Sequence, residues 1–147
     1  MPLDYLWTRF SESRMSRLKI YLNRHGLFFV LFTMPFLAFA QSLIEIDALS
    51  AATQIQETQI KVLDVREPSE FATGVIAGAM LMPLSQVEKR LAELDAFKNQ
   101  PMYVVCGSGA RSAQAVNFLS KNGFTQLTNI KGGMNAWRKA KLPVVAP

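Results

Sequence analysis

Met102-Tyr103-Val104-Val105-Cys106-Gly107-Ser108-Gly109-Ala110-Arg111-Ser112 is the stretch on which the fold turns. Its first four residues form an unbroken apolar run, the pattern of a short strand buried on both faces. Two glycines then let the backbone curl. From Arg111 to Lys121, Ala115, Val116 and Leu119 recur at helical spacing, and Asn122-Gly123 supplies the stop. The same alternation continues outward. Leu43 to Ile46 reads as a short strand, with Asp47 placed to cap a helix from Ala48 to about Gln56. Ile60 to Val65 reads as a buried strand, and Glu67-Pro68 opens a helical turn that carries Phe71 inward. Gly74 to Ala79 is a glycine-punctuated loop leading to apolar Met80-Leu81-Met82, stopped by Pro83. Ser85 to about Phe97 is predicted as an amphipathic helix on the spacing of Val87, Leu91 and Leu94. A short strand near Gln126 to Asn129, a Gly132-Gly133 turn and a helix around Trp137 follow. Apolar strands alternating with helices specify an α/β fold with a parallel sheet covered on both faces.

In such a sheet ligands bind beyond the carboxyl ends of the strands, and Cys106 stands at one of those ends. Gly107 and Gly109 allow successive N–H groups to point at one sulfur or one oxyanion. The positive end of the following helix favours a thiolate, and Ser108 and Ser112 add donors. The competing interpretation is a buried core cysteine, since free cysteine is among the most buried residue types. The glycine turn and the cation at the helix start weigh against it. Arg111 lies in the first turn of a helix, where a positive charge opposes the macrodipole. Two explanations stay open: an anion in the loop, or an ion pair with Asp64, Glu67 or Glu70.

From about Gln59 to Val145 the chain resembles the rhodanese domain, the single-domain thiosulfate sulfurtransferase family. The resemblance is carried by Leu63-Asp64-Val65-Arg66-Glu67-Pro68 with Glu70-Phe71, by Gly74 to Ala79, by the Cys106 to Ser112 loop, and by Gly132-Gly133 with Trp137. It implies a central parallel five-stranded sheet flanked by helices on both faces. It also implies that Cys106 takes sulfur from a donor such as thiosulfate, holds it as a persulfide and passes it to a thiol or cyanide acceptor. The backbone of Gly107, Ser108, Gly109, Ala110 and Arg111, with Ser112, would then cradle the persulfide. Three positions depart from the family pattern. Val75 and Ala77 replace an often-seen histidine and proline, and Gly107 stands where many thiosulfate-active members carry a basic residue. Asp64 and Arg66 belong to the family signature and are expected to tie strand to helix as a buried pair. Phe71 and Trp137 are expected in the core.

The chain as a whole narrows the chemistry further. Its 147 residues are half apolar, enough for one ordinary domain. The net charge of +5 is uneven. Five Lys/Arg against two Asp/Glu leave +3 in residues 1–40, while eleven against nine leave +2 in the remaining 107. Most of the basic excess therefore lies in a leader and not on a nucleic-acid face. That leader has a basic stretch ending at Arg24, an apolar run from Leu27 to Ala40, and Ala38-Phe39-Ala40 as a small-x-small cleavage site before Gln41. The run is shorter than the roughly 18–20 residues that span a bilayer and is interrupted by Pro35. Residues 1–40 are accordingly expected to be a signal peptide or, alternatively, a short membrane anchor, with residues 41–147 as an exported, periplasmic domain; Met15 is an alternative start. His25 is the only histidine and Cys106 the only cysteine. Disulfide scaffolds, Cys/His zinc sites and histidine-base catalysis are excluded after residue 40. No metal or cofactor is expected, nor any membrane contact except through an uncleaved leader. Two rivals remain: a non-catalytic persulfide carrier of the same fold, and a phosphatase or arsenate reductase. The latter class wants five residues between cysteine and arginine where this chain has four, Gly107 to Ala110.

Overall fold

Five short strands, each followed by helical chain, form one parallel sheet in the computed structural model, which describes residues 42–147. The expected leader lies outside the described residues. The elements run β1 (Glu45–Ile46), α1 (Ala48–Thr58), β2 (Lys61–Asp64), α2 (Pro68–Phe71), β3 (Met80–Leu81), α3 (Leu84–Val87), a 3-10 helix (Leu91–Phe97), β4 (Met102–Val105), α4 (Ala110–Lys121), β5 (Leu127–Ile130) and α5 (Gly133–Lys139). Spatial order in the sheet is β1-β5-β4-β2-β3, and every pairing is parallel. The buried apolar run of residues 102–105 is thus the central strand, paired on one side with β2 and on the other with β5.

Alternation along β4 divides the core between two faces. Met102 and Val104, joined by Cys106, pack with Leu63, Leu94, Ala115 and Leu119 against α4 and the 3-10 helix. Tyr103 and Val105 point the other way, to Ala51 on α1, Ile130 on β5, and Met134 and Trp137 on α5. Both faces are covered, so strands without polar alternation are what the layers demand. Each fully buried aliphatic side chain of this kind contributes about 1.5–3 kcal/mol. Phe71 and Trp137 are buried as expected.

Capping sets the start of α1. The Asp47 carboxylate accepts the Ser50 N–H at 3.0 Å and the Ser50 hydroxyl at 2.8 Å. The helix runs to Thr58, slightly past its expected end, and closes with Gln59 in the left-handed region at φ 54°. One element differs in kind. The single helix expected over residues 85–97 is broken into α3 and the 3-10 helix. Leu91, Leu94 and Phe97 recur every third residue and all pack into the core face of α4. In a 3-10 helix such positions eclipse along one ridge, whereas an α-helix would rotate the last of them off it. The apolar pattern was there; its period was three.

Candidate active site

The loop after β4 takes its shape from α5. The Cys106 carbonyl accepts the Met134 N–H at 2.8 Å, and the Gly107 carbonyl accepts the Asn135 N–H at 2.9 Å. Gly133 makes that approach possible. It sits at φ +56°, and a Cβ there would lie 2.3 Å from the Cys106 oxygen and 2.8 Å from the Gly107 carbonyl. With these carbonyls drawn toward α5, the amides of the turn face the sulfur. The Gly109 N–H donates to Cys106 Sγ at 3.1 Å, and Ser112 Oγ lies 3.4 Å from the same atom.

Cys106 has no exposed surface and shares its apolar surroundings with the α4 face of the core. Burial pushes its thiol up, but the Ser112 hydroxyl and the amides of Ser112, Gly109 and Ser108 outweigh that and leave it below its ordinary value. A cysteine that merely filled space in an apolar core would be shifted the other way. Gly109 caps α4 in the left-handed region at φ +100°. Its carbonyl accepts the Ala113 N–H at 3.0 Å, is 3.0 Å from the Ser112 hydroxyl, and receives Asn129 Nδ2 at 3.3 Å. Gly107 is half-buried, while Ser108 and Ala110 are exposed on the rim of the loop.

Arg111 is paired with Glu70 and not with Asp64 or Glu67. Its Nη1 and Nη2 donate to the two carboxylate oxygens at 2.7 and 2.8 Å. Arg111 hydrogen-bonds hold the Glu70 carboxyl at about 2, well under the ordinary 4.5, and the Arg111 guanidinium is raised chiefly by the same bonds. Asp64 is bound to Arg66: Arg66 Nη2 donates to Oδ2 at 2.6 Å, its Nε to both oxygens, and its backbone N–H to Oδ1. The pair is buried, and Arg66 also donates to the carbonyls of Glu70 and Gly74. None of the Arg66 bonds reaches the cysteine loop. Asp64 and Arg66 tie the end of β2 to the α2 segment, as expected of a strand-to-helix clamp.

Two positioning residues escaped the sequence reading. Gly133 was visible only as half of a turn, with no sign that its hydrogen atom faces the Cys106 carbonyl. Asn129, buried at the end of β5, donates to Glu45 at 2.9 Å as well as to Gly109, and its Oδ1 has no protein partner. An asparagine inside a strand of the sheet was the available signal.

A parallel α/β sheet whose central strand ends in a cysteine, with the Gly109 N–H and the Ser112 hydroxyl at its sulfur, defines a domain with a cysteine loop at a strand's carboxyl end. Comparison with known proteins specifies which one. Residues 47–140 match the Rhodanese family, described as the rhodanese-like domain, and the chain belongs to that family. It is 36% identical over 104 residues to a sulfurtransferase of Allochromatium vinosum, covering 70% of this chain and 95% of that protein. It is 31% identical over 105 residues to the thiosulfate sulfurtransferase GlpE of Vibrio cholerae, covering 70% and 95%. Among solved structures, a rhodanese-related protein from Thermoplasma volcanium superposes with a TM-score of 0.63 at 34% identity, covering 71% of this chain and 99% of that one.

Proposed function

We propose that this domain is a sulfurtransferase that moves sulfane sulfur from a donor such as thiosulfate to a nucleophilic acceptor, through a persulfide on Cys106. The observation that supports it most is the Gly109 N–H donating to Cys106 Sγ at 3.1 Å while the neighbouring carbonyls are drawn off toward α5. In the first step the thiolate attacks the outer sulfur of the donor. A bond forms between Sγ and that sulfur, the donor's sulfur–sulfur bond breaks, and its electron pair leaves on sulfite when the donor is thiosulfate. In the second, a thiol or cyanide attacks the outer sulfur of the persulfide, and the Cys106 thiolate returns. The amides of Ser108, Gly109 and Ser112 compensate the negative charge that sits on Sγ before loading and on the outer sulfur after it. Arg111 and Ser112 complete the loop, while Arg66, paired with Asp64, holds the backbone of Glu70, the partner of Arg111. No proton relay through histidine is needed.

A persulfide carrier of the same fold is the second reading, favoured by one observation: Cys106 has no exposed surface, which suits storage of sulfur received from a partner. A phosphatase is disfavoured by the four-residue spacing and by the engagement of Arg111 with Glu70. The test is incubation of the purified protein with thiosulfate followed by intact-mass measurement. The wild type is expected to gain one sulfur that cyanide removes catalytically, and Cys106→Ser is expected to gain none. Sulfur gained from a protein persulfide but not from thiosulfate would point to the carrier. Efficient hydrolysis of an aryl phosphate would overturn sulfur transfer altogether. We also propose that residues 1–40 direct export, leaving residues 41–147 as a periplasmic domain.

A further inference from the structure

Charge is unevenly divided along the domain. From Ala96 to Pro147 there are seven Lys/Arg and no Asp/Glu, while every carboxylate side chain after residue 40 lies at or before Asp95. Lys98 is paired with Asp95, and Arg111 with Glu70. Among the described residues the other five, Lys121, Lys131, Arg138, Lys139 and Lys141, are exposed and in no ion pair. Lys121 closes α4 at the end away from the cysteine loop, and the Lys131 N–H is bonded to Ile46, next to Asp47. The remaining three lie together on α5 and just past it, on the helix that docks on that loop. The macrodipole favours cations beside the last carbonyls of a helix, which accounts for Lys139 in the final turn. The Arg138 side chain turns the other way. Its Nη2 donates to Asn135 Oδ1 at 3.1 Å and its Nη1 to Thr73 Oγ1 at 3.1 Å. Asn135 is the residue whose N–H holds the Gly107 carbonyl. The guanidinium is thus fixed at the edge of the loop by two neutral acceptors, which set its orientation and leave its charge uncompensated.

We propose that Arg138, Lys139 and Lys141 form the docking surface for a protein acceptor, one that presents its cysteine thiol beside carboxylates that pair with α5. The inference rests on sulfur transfer through Cys106 as proposed above and names the kind of partner that takes the sulfur. Cys106 has no exposed surface, while Ser108 and Ala110 on the rim are exposed. A protein thiol must therefore reach in on a protruding segment, and the surface beside the loop has to hold the rest of its face. Arg138 suits that task, because a guanidinium already fixed in one orientation loses little freedom on meeting a carboxylate. Lys139 and Lys141 carry the positive surface past the end of α5, whose seven residues span about 10 Å. That length matches a protein face better than a single sulfur anion. In the transfer, the acceptor thiolate R–S⁻ attacks the outer sulfur of Cys106–S–SH. A bond forms between those two sulfurs, the bond from Sγ breaks, and its electron pair returns to Sγ. The proton stays on the transferred sulfur, so Cys106–S⁻ and R–S–SH result with charge conserved and no oxidant required. Complementary charge of this kind acts chiefly on the rate of encounter.

The probes are synthetic cysteine peptides of one length, with the thiol flanked by Asp/Glu, by neutral residues or by Lys. Full-length protein already carrying one extra sulfur is mixed with each, and loss of that sulfur is followed by intact mass. Peptide thiols differ in intrinsic reactivity, so the readout is the acidic-to-basic ratio of discharge rate constants. Replacing all three cations, by Arg138→Gln, Lys139→Gln and Lys141→Gln, is expected to lower that ratio about tenfold, the lower end of what a complementary charged surface adds to association. The single exposed substitutions Lys139→Gln and Lys141→Gln are expected to lower it in the same direction, and they stand if the triple substitution fails to fold. Raised ionic strength is expected to do the same to the wild type, because salt screens exposed charges. Lys121→Gln, at the far end of α4, is expected to keep the wild-type ratio. A ratio unmoved by the α5 substitutions, or lowered equally by Lys121→Gln, would overturn the docking surface; loss of binding to phosphatidylglycerol vesicles would then reassign the cations to a lipid surface. Equal slowing of the peptides and of 2-mercaptoethanol, a small neutral thiol, would also overturn it, by showing a structural role for the α5 side chains. Failure of Cys106 to load sulfur from either thiosulfate or cysteine persulfide would instead overturn sulfur transfer itself.

Discussion

Ser112 contributes to the cysteine site through a hydroxyl 3.4 Å from the sulfur and an amide aimed at the same atom. At the scale of single residues this decides the chemistry, since burial alone would keep Cys106 neutral. Because the folded thiol lies below its ordinary 9.0, ionised Cys106 stabilises the fold. That contribution is fully present above 9.0 and is lost as pH falls through the depressed folded value. Titration of thiolate absorbance is expected to give a midpoint under 9.0 for the wild type and a higher one for Ser112→Ala. Equal midpoints in the two proteins would remove the Ser112 hydroxyl, which the substitution deletes, from the site and leave only its amide. The cysteine, the glycines and both serines were legible in the sequence because they are neighbours along the chain. The partner of Arg111 was not. Asp64, Glu67 and Glu70 were equally plausible on charge, and the choice fell to Glu70, 41 residues away, because Arg66 occupies Asp64.

Between elements, the decisive contact is the docking of α5 on the turn after β4. Gly133 supports it twice, by its positive φ and by its missing Cβ. Gly133→Ala is expected to cost about 2–4 kcal/mol, combining an alanine forced to positive φ with overpacking against backbone. It should also raise the Cys106 titration midpoint, since the Cys106 and Gly107 carbonyls would lose their partners and rotate. Denaturant unfolding and thiolate absorbance check the two effects separately. Loss of stability with an unchanged midpoint would mean that α5 holds the fold but does not orient the loop. The break of the expected 85–97 helix belongs to the same scale. An i, i+3 pattern suits either helix type, and what selects the 3-10 form is the α4 surface against which Leu91, Leu94 and Phe97 pack.

For the whole molecule, the leader expected at residues 1–40 makes one measurable claim. Mass spectrometry of the protein recovered from the periplasmic fraction is expected to find an amino terminus at Gln41; recovery of the intact chain in the membrane fraction would identify an anchor instead. Among the described residues no helix is long and apolar enough to cross a membrane. The sequence by itself determined the succession of strands and helices, the parallel sheet covered on both faces, and the cysteine at a strand's carboxyl end. These follow from hydrophobic period and chain order, which are local properties. Only the tertiary structure decided which way the loop carbonyls turn, which carboxylate holds Arg111, and that the sulfur lies wholly beneath the surface. Each of those depends on groups brought from distant strands and helices to within hydrogen-bond distance, and no local pattern encodes such a meeting.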